Sequence, residues 1–189
     1  MDKIKKNDMK KVHFGCSDRF PGPIDGWDNL DIFPRNNKII KCDVINGLPY
    51  KNNTISHIFS VHTFEHFTLN QCKKVLNDCY NKMCISGVIR IIVPDLRRIV
   101  SDFEDFENSQ FFNKFENKWE FLLYAMYDTD STSTPHKYMF YDENLIRELT
   151  IIGFKNIKIV SDDNSKSEYK EFNEIVNFPI KSLAIEGEK

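Results

Sequence analysis

The feature that most constrains the fold is a series of short apolar segments, each of which ends at a glycine or a polar residue. The first segment ends at Gly15, and the next two end at Asp31 and Asp43. A fourth segment runs directly into His62. Short apolar runs bounded by turn residues predict buried strands, and open parallel sheets bind ligands at the carboxyl ends of their strands. The series therefore predicts a parallel sheet with a nucleotide-type pocket along one edge.

Each residue at these strand ends also has an ordinary structural interpretation. Gly15 would let the backbone approach a ligand closely, or it simply forms a turn. A carboxylate at Asp31 can accept both hydroxyls of a ribose, and one at Asp43 can accept the amine of adenine, with Val44 against the ring. Both acids can equally be surface turn residues. Their occurrence in this order, each at a strand end, favours the pocket.

Helical segments alternate with the strands, which indicates an α/β fold. The clearest helix covers residues 69–83, where apolar side chains recur every three or four positions. Thr68 and Gln71 form a capping-box pattern before it. Residues 88–93 are a nearly continuous apolar run, as expected of a central strand that is buried on both faces.

Length, charge and cysteine spacing indicate which broad classes of protein the chain does not resemble. A chain of 189 residues predicts a single domain over residues 1–189. The net charge of −2 gives no electrostatic case for binding nucleic acid or an anionic membrane. The amino-terminal residues are polar and basic, without the apolar stretch of a signal peptide. The five cysteines are odd in number and include no C-x-x-C pair, so we expect reduced thiols in a cytoplasmic protein.

Three further regions contain groups that are able to take part in chemistry. Residues 101–127 are predicted to be helical and are dense in aromatic side chains, which form either core packing or an apolar wall over an acceptor pocket. His136 follows a Ser/Thr-rich loop and is either a titratable group on a lid or a loop histidine without a role. The spacing H-x-x-E-H at His62, Glu65 and His66 matches the inverted zinc-peptidase motif. The zinc-peptidase motif must lie within a helix, whereas here it directly follows a strand. The alternative is that Glu65 and His66 only stabilise the loop through hydrogen bonds to the backbone.

With these motifs taken together, the chain resembles a class I S-adenosylmethionine-dependent methyltransferase of the small, methyltransferase type 11-like kind. The resemblance covers residues 12–160 and rests on the segments VHFGCSD, GWDNLDI, CDVINGLPYKNNTISHIFSVHTFEHF, CISGVIRIIVPDLRRIV and HKYMFYDENLIRELTIIGFKNIKI. It implies a Rossmann-like three-layer sandwich with a mostly parallel sheet, an antiparallel last strand and reduced helices on one face. The thinly covered face would be covered by the amino-terminal residues or by a second subunit in a homodimer.

The resemblance also implies S-adenosylmethionine as the cofactor and assigns residues to it. The cofactor-binding residues would be Gly15, Cys16 and Ser17 at the methionine part, Asp31 at the ribose, Asp43 and Val44 at the adenine, and Val61 and His62 beside the sulfonium. Ser17 stands where the family has a second glycine. That departure leaves open a catalytically inactive, cofactor-binding partner protein.

The implied reaction is methyl transfer to the oxygen or nitrogen of a small polar acceptor, such as a sugar or glycan precursor. His66 or His136 is the expected base because an unperturbed histidine titrates near neutral pH. Glu65 would orient one of them, and no metal is required. A zinc hydrolase that uses His62, Glu65 and His66 is the remaining, disfavoured alternative.

Overall fold

The structure is a computed structural model that describes residues 9–16, 22–129, 135–160, 167–173 and 182–189. Seven strands among these residues form one sheet, with the order β3-β2-β1-β4-β5-β7-β6. The strands are β1 (Lys10–Phe14), β2 (Asp28–Asp31), β3 (Ile39–Lys41), β4 (Ile55–Val61), β5 (Met83–Pro94), β6 (Lys155–Val160) and β7 (Ser182–Glu188). Strands β1 to β5 pair in parallel, and β7 is antiparallel to both β5 and β6. The predicted mostly parallel sheet with an antiparallel last strand is confirmed.

The described helices are α1 (Leu69–Lys82), α2 (Leu96–Glu104), α3 (Lys118–Tyr127), α4 (Asp142–Ile152) and α5 (Lys170–Asn173). Helix α1 begins at the predicted capping box. The Thr68 hydroxyl accepts the Gln71 N–H, and the Gln71 side-chain oxygen accepts the Thr68 N–H at 2.9 Å. Helix α4 ends at Gly153, whose φ of +115° is a conformation that glycine adopts without strain. Local sequence patterns therefore define where these two helices begin or end.

Helices α1 and α4 cover one face of the sheet. Successive residues of a strand point to opposite faces, and on β4 Ile58 packs on the helical side while Phe59 packs on the other side. The helical side is sealed by buried residues such as Val75 and Leu76 of α1 and Leu149 of α4. Full burial of one such aliphatic side chain stabilises the fold by about 1.5–3 kcal/mol.

The opposite face is covered without a long helix in the described residues. Its buried cluster consists of Trp27, Phe59, Val61, Val88, Ile92, Val160, Phe172 and Ala184. Trp27 comes from the loop before β2, and Phe172 comes from the four-residue helix α5. The expected reduction of helices on one face is confirmed. These two covering segments were not predicted. Of the two expected covers, the amino-terminal residues 1–8 lie outside the described residues, and a second subunit stays a prediction.

The single helix that was predicted over residues 101–127 is wrong. Helix α2 ends at Glu104, and α3 begins only at Lys118, after a stretch of turns. Asn117 caps α3 by accepting the backbone N–H groups of Trp119 and Glu120 at 3.0 and 3.1 Å. Asparagine and serine recur between the two helices, and their side chains compete for backbone hydrogen bonds, which favours turns and caps over helix interior.

The cysteines agree with the expectation of reduced thiols. All five cysteines are free thiols, and burial raises the pKa of the Cys72 thiol to about 12. Across the described ranges, no helix combines the length and the apolar character that a membrane span requires.

Candidate functional site

The carboxyl ends of β1, β2 and β3 lie side by side at one edge of the sheet. The backbone N–H groups of Gly15 and Cys16 both donate to Leu30 O, at 2.9 and 3.3 Å. The Cys42 N–H donates to Asp31 O at 2.9 Å. These bonds join the turn after β1, the end of β2 and the turn after β3. The predicted strand-end residues therefore form one continuous edge.

Gly15 is required by a neighbouring turn of the protein itself. Its φ is +66°, and a Cβ atom there would lie 1.9 Å from Thr63 Oγ1. Thr63 belongs to the turn after β4, where its hydroxyl donates to Val61 O at 2.9 Å. The contact between Gly15 and Thr63 was not predicted. Cys16 is fully buried beside it, and Ser17 lies outside the described residues.

Asp31 is the last residue of β2 and is partly exposed at this edge. Its carboxylate accepts the Phe33 N–H at 2.8 Å. A carboxylate has about four acceptor positions on its two oxygens. The geometry at Asp31 is compatible with the predicted contact to ribose hydroxyls.

Asp43 has the structural role that the sequence left open as its alternative. Its Oδ1 accepts the Ile45 N–H at 3.0 Å, and its Oδ2 accepts the Asn46 side-chain amide at 2.9 Å. Asp43 thereby caps the short 3₁₀ turn Val44–Asn46. Val44 itself is buried in the core with Leu48. The contacts of Asp43 and Val44 with adenine stay predictions.

His62 follows β4 directly, with a φ of +44° that is unusual for a residue other than glycine. Its Nε2 lies 3.0 Å from Ser182 Oγ, and its Nδ1 lies 3.3 Å from Glu65 Oε1. Val61, the residue before it, is buried in the cluster on the less helical face. The ring of His62 is therefore held between the start of β7 and Glu65. Ser182 was missed because it is 120 residues away in the sequence.

The three residues predicted to be catalytic lie together. One side-chain ligand atom from each of Glu65, His66 and His136 lies within 4.8 Å of the others, and the two imidazole rings are 5.1 Å apart between centroids. Backbone hydrogen bonds bring the two chain segments together, because the N–H groups of Lys137 and Tyr138 both donate to Glu65 O, at 2.7 and 3.2 Å. We call Glu65, His66 and His136 the His–Glu cluster.

Three buried polar atoms of the His–Glu cluster make no hydrogen bond of acceptable geometry within the described residues. Glu65 is only 1% exposed, and within the described residues neither of its carboxylate oxygens makes a hydrogen bond of acceptable geometry. The same holds for the buried Nδ1 of His66. Nδ1 of His136 lies 3.1 Å from Ala125 O. A carbonyl only accepts, so this nitrogen holds the proton and Nε2 offers its lone pair.

Charges within the cluster act on each other. Burial raises the pKa of Glu65, but the neighbouring rings of His62 and His66 lower it more, and the net pKa lies below the ordinary value. Burial lowers the pKa of His136, and the Glu65 carboxylate only partly opposes this effect. Glu65 is therefore ionised at neutral pH, and His136 is largely neutral.

The H-x-x-E-H spacing does not form a zinc-peptidase site. Phe64–His66 form a single 3₁₀ turn rather than part of an α-helix. His62 and His66 therefore do not share the helical face on which that motif places its two zinc ligands. His62 instead contacts Ser182 and Glu65. The hydrolase alternative lacks the geometry that it needs.

Comparison with known proteins identifies the fold. No protein-family model matches the chain, and no curated protein does. A SAM-dependent methyltransferase from Archaeoglobus fulgidus is 18% identical over 97% of this chain and 87% of its own, with a TM-score of 0.59. A SAM-dependent methyltransferase from Thermotoga maritima is 17% identical over 95% of this chain and 82% of its own, with a TM-score of 0.55.

A solved structure of PigF with SAH gives a similar result. It is 15% identical over 99% of this chain and 52% of that chain, with a TM-score of 0.51. The strand order, the antiparallel strand β7 and these similarities define a class I SAM-dependent methyltransferase fold. The fold that the resemblance implied is confirmed.

Proposed function

We propose that the chain is a SAM-dependent methyltransferase that modifies the oxygen or nitrogen of a small polar acceptor, of the sugar or glycan-precursor type. The observation that supports it most is the edge of the sheet. There a glycine turn and two strand-end acids lie next to one another, and the His–Glu cluster, with its buried Glu65, lies at the turn after β4. The similar solved structures are SAM-dependent methyltransferases, and one protein of this fold was solved with SAH.

We assign the residues at this edge to the parts of the cofactor. Asp31 would hold the ribose hydroxyls, and the turn at Gly15 and Cys16, continuing to Ser17, would pass under the methionine part. The adenine would lie near Asp43 and Val44, and the sulfonium beside Val61 and His62. When bound, S-adenosylmethionine supplies a methyl group on a positively charged sulfur, and transfer to the acceptor leaves a neutral thioether.

The contribution of this chain is to position the acceptor and to remove its proton. Correct alignment of two reactants can lower the barrier by roughly 7–11 kcal/mol in favourable cases. We place the acceptor against the His–Glu cluster, where His66 or His136 takes the proton that the acceptor oxygen or nitrogen loses. The Glu65 carboxylate stabilises the positive charge that the imidazole then gains.

The assignment of Asp31 gives a quantitative prediction. Asp31→Ala is expected to weaken the binding of S-adenosylmethionine about 10–100-fold, because hydrogen bonds to a charged group contribute roughly 1.5–3 kcal/mol and each 1.4 kcal/mol is about tenfold in affinity. Calorimetric titration of both proteins measures this difference. Asp25→Ala is the matched control, since Asp25 is an exposed acid paired with Lys38 before the amino end of β2. Equal affinities in Asp31→Ala and Asp25→Ala would contradict the ribose assignment.

We further propose that the chain folds as one cytoplasmic domain and that it forms a homodimer. The single sheet that runs from β3 to β6 supports the one-domain interpretation. The location and the homodimer rest on the sequence alone. Binding of cofactor without any turnover across the acceptors tested would favour the inactive partner protein instead.

A further inference from the structure

The His–Glu cluster contains the ligand types of a transition-metal site. Two imidazoles and one carboxylate are a common ligand set for zinc and similar divalent ions, and a site with three protein ligands keeps a position open for water or substrate. Zinc ligands of this kind lie about 2.0–2.2 Å from the ion, so two of them are at most about 4.4 Å apart. The ligand atoms of Glu65, His66 and His136 lie within 4.8 Å of one another. Small side-chain rotations would close the site.

Buried polar atoms that make no hydrogen bond of acceptable geometry favour a cation at the His–Glu cluster. Both carboxylate oxygens of Glu65 and Nδ1 of His66 are buried without a hydrogen bond of acceptable geometry among the described residues. The nearest ring, that of His62, has its Nδ1 3.3 Å from Glu65 Oε1. Burying a carboxylate without full compensation is unfavourable. A divalent ion between Glu65 and the two histidines would supply that compensation.

The surroundings of His136 are those of a metal-bound histidine. Such a histidine usually donates its second ring N–H to a carbonyl or carboxylate, which fixes the tautomer and the ring orientation. Nδ1 of His136 lies 3.1 Å from Ala125 O in the last turn of α3. Its Nε2 is thereby left as the ligand atom. The hydrogen bonds from Lys137 and Tyr138 to Glu65 O hold the two ligand-bearing segments together.

We propose that Glu65, His66 and His136 bind one divalent transition-metal ion of the zinc type, with an open coordination position for the acceptor. The role of the ion rests on the proposed function, whereas its binding does not. A hydroxyl bound to such an ion has a lowered pKa and loses its proton to water without a histidine base. This differs from the sequence-based expectation that no metal is required.

The test is a metal titration of the full chain after treatment with a chelator and its removal. We expect saturable binding of one Zn²⁺ per chain by calorimetry, and a visible absorption band with Co²⁺ that Zn²⁺ displaces. Mg²⁺ should bind far more weakly, because it prefers six oxygen ligands. Absence of saturable Zn²⁺ and Co²⁺ binding by the unmodified protein would overturn the proposal, and this result depends on no variant.

Variants then locate the ion. Loss of an outer partner of a metal ligand already costs 10–100-fold in affinity, so His66→Gln and His136→Gln should each weaken Zn²⁺ binding by about 100-fold or more. His57→Gln is the matched control, because His57 lies on β4 and contacts Glu171, outside the cluster. Zn²⁺ affinity that is unchanged in both cluster variants would overturn the assignment.

Failure of this inference and failure of the proposed function are distinguishable. S-adenosylmethionine is titrated separately, in the presence of chelator. Cofactor binding without metal binding overturns only the metal site, whereas metal binding without cofactor binding overturns only the proposed function. Methyl transfer that stops with chelator and returns with Zn²⁺ supports the role of the ion. Transfer that chelator does not affect contradicts that role and leaves His66 or His136 as the base.

Discussion

Replacing His66 with alanine is expected to lower the rate of methyl transfer by about 10²–10⁴-fold, the usual contribution of a positioned proton-transfer group. His66 belongs to the His–Glu cluster and not to the strand ends where the cofactor would bind. The variant should therefore bind S-adenosylmethionine nearly as well as the unmodified protein. The same separation is expected whether His66 accepts the proton itself or holds a metal ion.

The rate of methyl transfer and the affinity for S-adenosylmethionine must both be measured to check the His66 prediction. The rate is the release of S-adenosylhomocysteine in the presence of a series of sugar acceptors, and the affinity comes from calorimetry. His57→Gln is again the control, because it removes a histidine of β4 that is outside the cluster. An unchanged rate in His66→Ala would remove His66 from the reaction. A large loss of cofactor affinity would show that the variant disturbs the cofactor site instead.

The second large effect concerns the one charged residue within the apolar run of β5. Arg90 is fully buried and lies directly opposite Glu186 in the β5–β7 pairing. Its Nη2 lies 2.6 Å from Glu186 Oε1, its Nε donates to the same oxygen at 2.8 Å, and its guanidinium lies 4.9 Å from the centre of the Phe172 ring. The charge is thus held in the less helical face by a cross-strand partner and an aromatic ring.

Glu186→Gln is expected to lower the free energy of unfolding by about 3–5 kcal/mol, because it removes the countercharge that Glu186 provides to the buried guanidinium. The double variant Arg90→Met/Glu186→Leu should lose much less unfolding free energy, since no buried charge remains at these two positions. Urea unfolding followed by the fluorescence of Trp27 and Trp119 measures both. Glu168→Gln is the control, because it breaks an exposed pair with Lys158 that should contribute about 0–1 kcal/mol. If Glu186→Gln lowers the free energy of unfolding as little as the control does, the stabilising role of the buried Arg90–Glu186 pair is contradicted.

The parts of the fold that depend on local patterns could be predicted from the sequence. The fourth apolar segment, predicted to be a strand that runs into His62, is found as β4 at Ile55–Val61, and the capping box at Thr68 and Gln71 begins α1. The helix predicted over residues 101–127 failed because aromatic content indicates burial but does not distinguish one long helix from two shorter ones. Arg90 had no explanation in the sequence, because its partner is 96 residues away.

In the candidate site, too, residues that depend on local patterns could be predicted, whereas long-range contacts could not. Asp31 and Asp43 could be placed from the sequence because each follows a short apolar strand in its own segment. The proximity of His66 to His136 could not, since it depends on backbone hydrogen bonds from Lys137 and Tyr138 to Glu65. No periodicity or turn signal encodes such a long-range contact. The close approach of Thr63 to Gly15 could not be predicted either, because it is also a long-range contact.

The most direct test of the central claim is calorimetric titration of the full chain with S-adenosylmethionine and with S-adenosylhomocysteine. The account predicts that both bind with micromolar affinity, one molecule per chain. Absence of binding by either compound, with the protein folded, would contradict the claim that this fold has a working cofactor site.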